Sequence, residues 1–133
     1  MRLRRYLSLL NDIVQSRRDL QIESFVIRET IPGLSANVAG RFRFWDDSML
    51  EFAELLEERG ALVYRVDYAY HYQDRGNSLI FRYDNAPHHP EVATHPHHKH
   101  IKEGRVERIL EVATTPQLDE VLREINRYLQ ATS

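Results

Sequence analysis

The chain has 133 residues, of which 42% are hydrophobic and 29% charged, so it fits a single globular domain over residues 1–133 and excludes wholesale disorder. Its formal net charge of −2 excludes the broad positive field of a dedicated nucleic-acid-binding protein. The chain contains no cysteine, which excludes disulfides and thiolate metal sites, and no apolar run long enough to span a bilayer. We therefore expect a cytoplasmic protein without a membrane segment.

The first predicted element is a helix over residues 1–16, because its apolar side chains recur at intervals of three and four residues. Two strands are predicted next, over residues 21–30 and 37–45, where apolar and polar residues alternate. The sequence Ile31-Pro32-Gly33 lies between them and supplies a turn.

Residues 49–57 carry two competing patterns. Apolar residues at helical spacing follow Ser48 and Glu51, which have the spacing of a capping box. The same segment also has apolar residues at alternating positions, as one face of a strand would. Because only a short link separates it from a clear strand, an antiparallel neighbour is the simpler arrangement, and we predict a strand.

The clearest local element is a β-hairpin. β-branched and aromatic residues fill two strands, residues 61–73 and 78–84, and Asp74 to Asn77 provide turn-forming residues between them. The fold class that follows is α+β, with an antiparallel β-meander of about five strands and the N- and C-terminal helices packed on it.

Residues 85–100 are predicted to form a histidine-rich loop, which holds six of the seven histidines. Prolines at three positions favour a stiff, non-helical path. On an extended backbone His98 and His100 would share one face, and His97 and Lys99 the other. After this loop, residues 106–112 indicate a short strand.

The last predicted element is a helix over residues 116–130. Thr115 and Pro116 form a typical helix start, with a cap followed by proline at the first helical position. The residues that follow are apolar at helical spacing, so this helix should bury one side against the sheet.

The histidine-rich segment suggests acid–base chemistry on RNA. One imidazole would remove the 2′-hydroxyl proton, a second would protonate the leaving 5′-oxygen, and a cation would stabilise the transition state. The predicted catalytic residues are His97, His98, His100, Lys99 and Asp84. The predicted substrate-binding residues are Arg82, Tyr83, Asn85, His88, His89, Tyr70 and His71.

Two other interpretations remain open. If the segment binds a metal, the ligands would be His98 and His100, which project together from an extended chain, with Asp84 or Glu91 as the oxygen ligand, because imidazole and carboxylate are common ligands. Alternatively, the histidines form only a hydrogen-bonded loop after a strand. The leading expectation is a reaction without a metal or other cofactor.

The run from Arg82 to Pro90, which reads RYDNAPHHP, precedes the run His97-His98-Lys99-His100-Ile101. Together they closely resemble the signature of the TumE-like toxins of prokaryotic toxin–antitoxin modules. His95 departs from the pattern, where the family more often has an aromatic residue, so we expect His95 to be dispensable. In that family the segment 49–57 also resembles a strand.

This resemblance implies a growth-inhibiting toxin that is neutralised by an antitoxin, usually a helix-turn-helix protein of the TumA type. Combined with the histidine chemistry, it favours a metal-independent endoribonuclease acting on RNA or the translation machinery. The alternatives are a non-enzymatic growth inhibitor that acts by partner binding and a metal-dependent phosphodiesterase. A homodimer formed through an exposed strand edge also stays open.

Overall fold

The computed structural model describes residues 2–87, 96–112 and 114–133. In these residues two helices and seven strands follow the chain in this order: α1 Leu3–Ser16, β1 Leu20–Ile31, β2 Ser35–Phe44, β3 Met49–Arg59, β4 Leu62–Gln73, β5 Leu79–Asp84, β6 His98–Glu103, β7 Val106–Glu111 and α2 Leu118–Thr132. The strands form one sheet in sequential order, with each antiparallel to the next. The α+β class and the terminal helices are confirmed.

The number of strands predicted from the sequence was too low, at about five against the seven described. The two additional strands are β6 and β7, which form a hairpin around Gly104. Gly104 has a φ of +62°, a left-handed conformation that glycine adopts without steric cost. Part of the segment predicted as a loop, from His98 to His100, is therefore strand, while the short strand predicted over 106–112 is present as β7.

The strand interpretation of residues 49–57 is confirmed, and the local helical pattern was misleading. β3 pairs along its length with both β2 and β4, and its buried side chains alternate as Leu50, Phe52, Glu54 and Leu56. Ser48 does not cap a helix, because its hydroxyl is hydrogen bonded to Asp46 and to the Tyr72 hydroxyl. Pairing on both sides has overridden local preference.

The hydrophobic core lies between the two helices and one face of the sheet, which we call the covered face. The helices contribute buried side chains at helical spacing: Leu3, Leu7, Leu10 and Val14 from α1, and Leu118, Val121, Leu122, Ile125 and Leu129 from α2. The covered face supplies an aromatic layer that includes Phe42, Phe52, Tyr70, Tyr72 and Phe81. The opposite face of the sheet, which neither helix covers, is called the open face.

The C-terminal helix begins two residues later than predicted. α2 starts at Leu118, and the backbone N–H of Gln117 donates to the Glu120 side chain at 3.2 Å. Pro116 is not the first helical residue; its carbonyl accepts a hydrogen bond from Arg65 at 2.6 Å. Neither helix in the described residues is long and apolar enough to cross a membrane.

Candidate functional site

The alternation of side chains along β4, β5 and β6 brings polar groups together on the open face. Arg82 on β5 lies opposite His71 on β4 and His100 on β6. Two residues further along β5, Asp84 lies opposite His98 on β6. Because facing residues of an antiparallel sheet project to the same side, the five side chains form one group. We call it the open-face cluster.

Asp84 is the centre of the open-face cluster. Its side chain is almost completely buried, and one oxygen accepts a hydrogen bond from Arg82 Nε at 2.8 Å. The other oxygen accepts one from the backbone N–H of Ala86 at 3.0 Å and lies 2.8 Å from His98 Nε2. His100 Nε2 lies 3.5 Å from the oxygen that Arg82 contacts.

The two imidazoles beside Asp84 have the same orientation, with Nδ1 hydrogen bonded away from Asp84 and Nε2 directed toward it. His98 is fully buried and its Nδ1 donates to the Pro96 carbonyl at 2.8 Å. His100, whose side chain is 13% exposed, directs Nδ1 to Glu107 Oε1 at 2.5 Å. Since carbonyl and carboxylate oxygens only accept, both Nδ1 atoms carry a proton and both Nε2 atoms face Asp84. The rings lie edge to face with centroids 4.8 Å apart.

His71 and Arg82 form the more accessible side of the cluster. Arg82 Nη1 lies 3.4 Å from His71 Nδ1, and His71 Nε2 donates to Gln73 Oε1 at 3.1 Å. Burial first, and the nearby Arg82 guanidinium second, lower the pKa of His71 below its ordinary value. The imidazole is therefore neutral at pH 7 and able to accept a proton.

Two shallow cavities meet at Arg82. One, of about 650 Å³, is lined by His71, Gln73 and Arg82 together with residues of β1, β2 and β3. The other, of about 340 Å³, is lined by Asp84 and Asn85 together with Arg82. Three members of the open-face cluster, His71, Arg82 and Asp84, therefore line concave surface large enough for part of a polymeric substrate.

Several of the sequence-predicted site residues lie elsewhere. Lys99 and Tyr83 project to the covered face, where both contact Glu124 of α2, at 2.8 Å and 2.5 Å. Tyr70 is fully buried in the core and donates to Glu54 at 2.5 Å. The structure does not bring these three residues to the open-face cluster.

Asn85 and His97 have structural contacts at the end of the sheet. The Asn85 amide bridges the backbone of β4, donating to the Val66 carbonyl at 2.9 Å and accepting from the Tyr68 N–H at 3.0 Å. His97 stacks on the Tyr68 ring and is hydrogen bonded to its hydroxyl at 3.0 Å. Burial, followed by the charge of Arg65, lowers the pKa of His97. The predicted sites His88 and His89 lie outside the described residues, as do His95 and Glu91.

Glu107 was not predicted from the sequence as part of the site. It reaches His100 because β7 folds back on β6. The sequence signal for this contact is Gly104, which lies between two short polar segments and favours a hairpin turn. This signal is informative only if the segment before Gly104 is recognised as strand β6.

Comparison with known protein families gives a match over most of the chain. A family model described as Toxin TumE matches residues 9–129, which include every residue of the open-face cluster. No curated protein and no solved structure matches the chain.

Proposed function

Because the chain belongs to the TumE toxin family, we propose that it arrests growth as an endoribonuclease whose reaction centre is the open-face cluster. One observation carries this proposal: five side chains suited to phosphodiester chemistry converge from three adjacent strands, and three of them line accessible concavities. Rigid strands hold catalytic groups more accurately than loops do.

Arg82 is the proposed phosphate-binding residue. Its side chain is 37% exposed, and two of its nitrogens contact Asp84 and His71. A guanidinium carries five N–H donors, so donors remain to bind phosphate oxygens and the charge that develops on them. Its contact with Asp84 also fixes the direction of the planar group.

His71 is the proposed general base. As a neutral imidazole it takes the 2′-hydroxyl proton of RNA at Nδ1, and the 2′-oxygen then attacks phosphorus while the bond to the 5′-oxygen breaks. The products are a 2′,3′-cyclic phosphate and a 5′-hydroxyl end. The contact from Arg82 to His71 Nδ1 is long, at 3.4 Å, so it is readily exchanged for one to substrate.

The leaving 5′-oxygen needs a proton or a neighbouring positive charge, and the imidazoles of His98 and His100, or an ion held between them and Asp84, are the candidates for supplying it. In the metal-independent reaction expected from the sequence, only His100 can supply the proton, because His98 is fully buried. A metal-dependent phosphodiesterase is the second candidate, and it is favoured by the approach of both Nε2 atoms to Asp84.

Membership of a toxin family implies an antitoxin partner. We expect the antitoxin, of the helix-turn-helix type, to cover the open face in the cytoplasm and so exclude RNA. The near-neutral net charge of −2 favours a small or ribosome-bound RNA target over bulk RNA. A homodimer through the outer edge of β1 or β7 remains a prediction.

The experiment that tests the proposal is cleavage of cellular RNA by purified protein, with and without EDTA. Arg82→Gln should lower the cleavage rate at least about 100-fold, as loss of a charged transition-state contact does. The matched control Arg108→Gln, which removes an exposed ion pair with Glu103, should cleave normally. Growth arrest by protein that cleaves no RNA in any buffer would instead indicate inhibition by partner binding.

A further inference from the structure

The three potential ligand atoms of Asp84, His98 and His100 have the spacing of a mononuclear metal site. These atoms all lie within 4.8 Å of one another, and the two imidazole nitrogens are 2.8 and 3.5 Å from the Asp84 oxygens. Ligands bound at about 2.1 Å and at right angles are about 3.0 Å apart. Small side-chain rotations are therefore enough to place all three around one ion.

The outward hydrogen bonds of the two histidines are those expected of metal ligands. A ligating imidazole usually donates its other N–H to a carbonyl or carboxylate, which fixes the ring and its tautomer. His98 donates to the Pro96 carbonyl, and His100 donates to Glu107. Both Nε2 atoms therefore face the position beside Asp84, where an ion would lie.

Strand pairing on both sides holds the backbone that carries His98 and His100. Asp84 and His98 are directly opposed across β5 and β6, and His100 follows on the same face two residues later. Ala86 and Arg82 hold the carboxylate by hydrogen bonds of 3.0 and 2.8 Å. Sheet pairing and these hydrogen bonds fix the positions of the ligands, so little ordering opposes binding.

We infer that Asp84, His98 and His100 bind one divalent first-row transition ion through two imidazole nitrogens and one carboxylate oxygen. Nitrogen and oxygen ligands of this kind suit zinc, iron, manganese or cobalt. Three protein ligands leave coordination positions for water and for a phosphate oxygen. The positive charge of Arg82 weakens binding, while the carboxylate of Glu107 beyond His100 offsets it. This inference rests on the proposed function and deepens it, because it names a bound ion as the positive charge that would stabilise the leaving 5′-oxygen.

The test is calorimetric titration of Zn²⁺ into the full chain, purified without an affinity tag and stripped with a chelator. We expect about one tight site per chain, with His100→Gln binding at least about tenfold more weakly. Glu107→Gln, which removes only the hydrogen-bond acceptor of His100, should also weaken binding about tenfold. Asp84→Asn serves as a second ligand variant if His100→Gln fails to fold.

His97→Gln is the matched control, because His97 is a neighbouring histidine that stacks on Tyr68 at the covered side of the sheet. It should keep wild-type affinity. Equal loss in the His97 and His100 variants, or no loss in any variant, would show adventitious binding to clustered histidines and overturn the inference. Tight Zn²⁺ binding by a protein that cleaves no RNA would overturn only the proposed function. Cleavage that resists EDTA, by a protein without a tight Zn²⁺ site, would overturn only this inference.

Discussion

Within the described part of the chain, each face of the sheet contains one buried carboxylate, and the two differ in their partners. Glu54 on the covered face is 2% exposed and accepts hydrogen bonds from the Tyr6 and Tyr70 hydroxyls at 2.6 and 2.5 Å. Asp84 on the open face is 4% exposed, and its carboxylate contacts the side chains of Arg82, His98 and His100. Burial of an acid is therefore not sufficient to indicate a reaction centre.

The partners determine what each carboxylate can do. Burial, followed by the Glu54 charge, raises the pKa of Tyr70 well above its ordinary value, so the hydroxyl stays protonated and serves only as a donor. Arg65 completes this network by donating to the Tyr70 hydroxyl at 2.8 Å. Asp84 instead lies beside the Arg82 guanidinium and the imidazoles of His98 and His100, and together with Arg82 it lines an accessible cavity. We expect the covered-face network to stabilise the fold, whereas the open-face cluster is the proposed reaction centre.

The largest expected effect is the loss of activity in Asp84→Asn. Asparagine keeps the volume and can accept from Ala86 N–H, but it lacks the charge that holds Arg82 and the proposed ion. RNA cleavage should fall at least about 100-fold. Timed cleavage assays check this, with Asp119→Asn, which removes a surface ion pair on α2, as the matched control. Wild-type activity in Asp84→Asn would remove the distinction between the two carboxylates.

Glu54→Ala should instead reduce stability. It leaves the Tyr6 and Tyr70 hydroxyls without their acceptor in the core, and the free energy of unfolding should fall by about 3 kcal/mol. Urea unfolding measures this change. The matched control is Glu51→Ala on the open face of the same strand, which removes an exposed pair with Arg41 and should cost less than about 1 kcal/mol. Equal losses in both variants would contradict a structural role for Glu54.

The smallest expected effect concerns the pH dependence of stability. The folded pKa of His71 is lowered from its ordinary value of 6.5, so on acidification the unfolded chain binds this proton before the folded chain does. Stability should therefore fall as pH drops through 6.5 and level off below the folded pKa. His71→Gln should lose less stability between about pH 7.5 and about pH 5.5 in urea unfolding. An unchanged pH dependence would mean that His71 titrates normally.

Much of the fold followed from the sequence because its elements have regular periodicity. The helical spacing in α1 and α2 and the turn residues between β4 and β5 were sufficient to predict those elements. β6 was missed because a run of histidine and lysine has no strand pattern of its own, and its pairing with β5 and β7 decides its conformation. α2 begins at Leu118 and not at the predicted Pro116, because the Pro116 carbonyl accepts a hydrogen bond from Arg65.

The site was predicted as a set of residues but not as an arrangement. Period-two alternation correctly placed His98 and His100 on one side, with Lys99 on the other. Which side faces the helices depends on the packing of α2, and Glu124 is distant in sequence from Lys99. The sequence alone therefore could not separate a lysine that anchors a helix from a lysine that binds phosphate.

The measurement that tests the central claim most directly compares two neighbours on β6 in the RNA cleavage assay. His100→Gln alters the open-face cluster, whereas Lys99→Gln breaks the 2.8 Å ion pair with Glu124 on the covered face. We predict that His100→Gln loses cleavage at least about 100-fold, while Lys99→Gln cleaves normally and loses about 1 kcal/mol of stability or less. Cleavage lost in Lys99→Gln but retained in His100→Gln would contradict the assignment of the reaction to the open face.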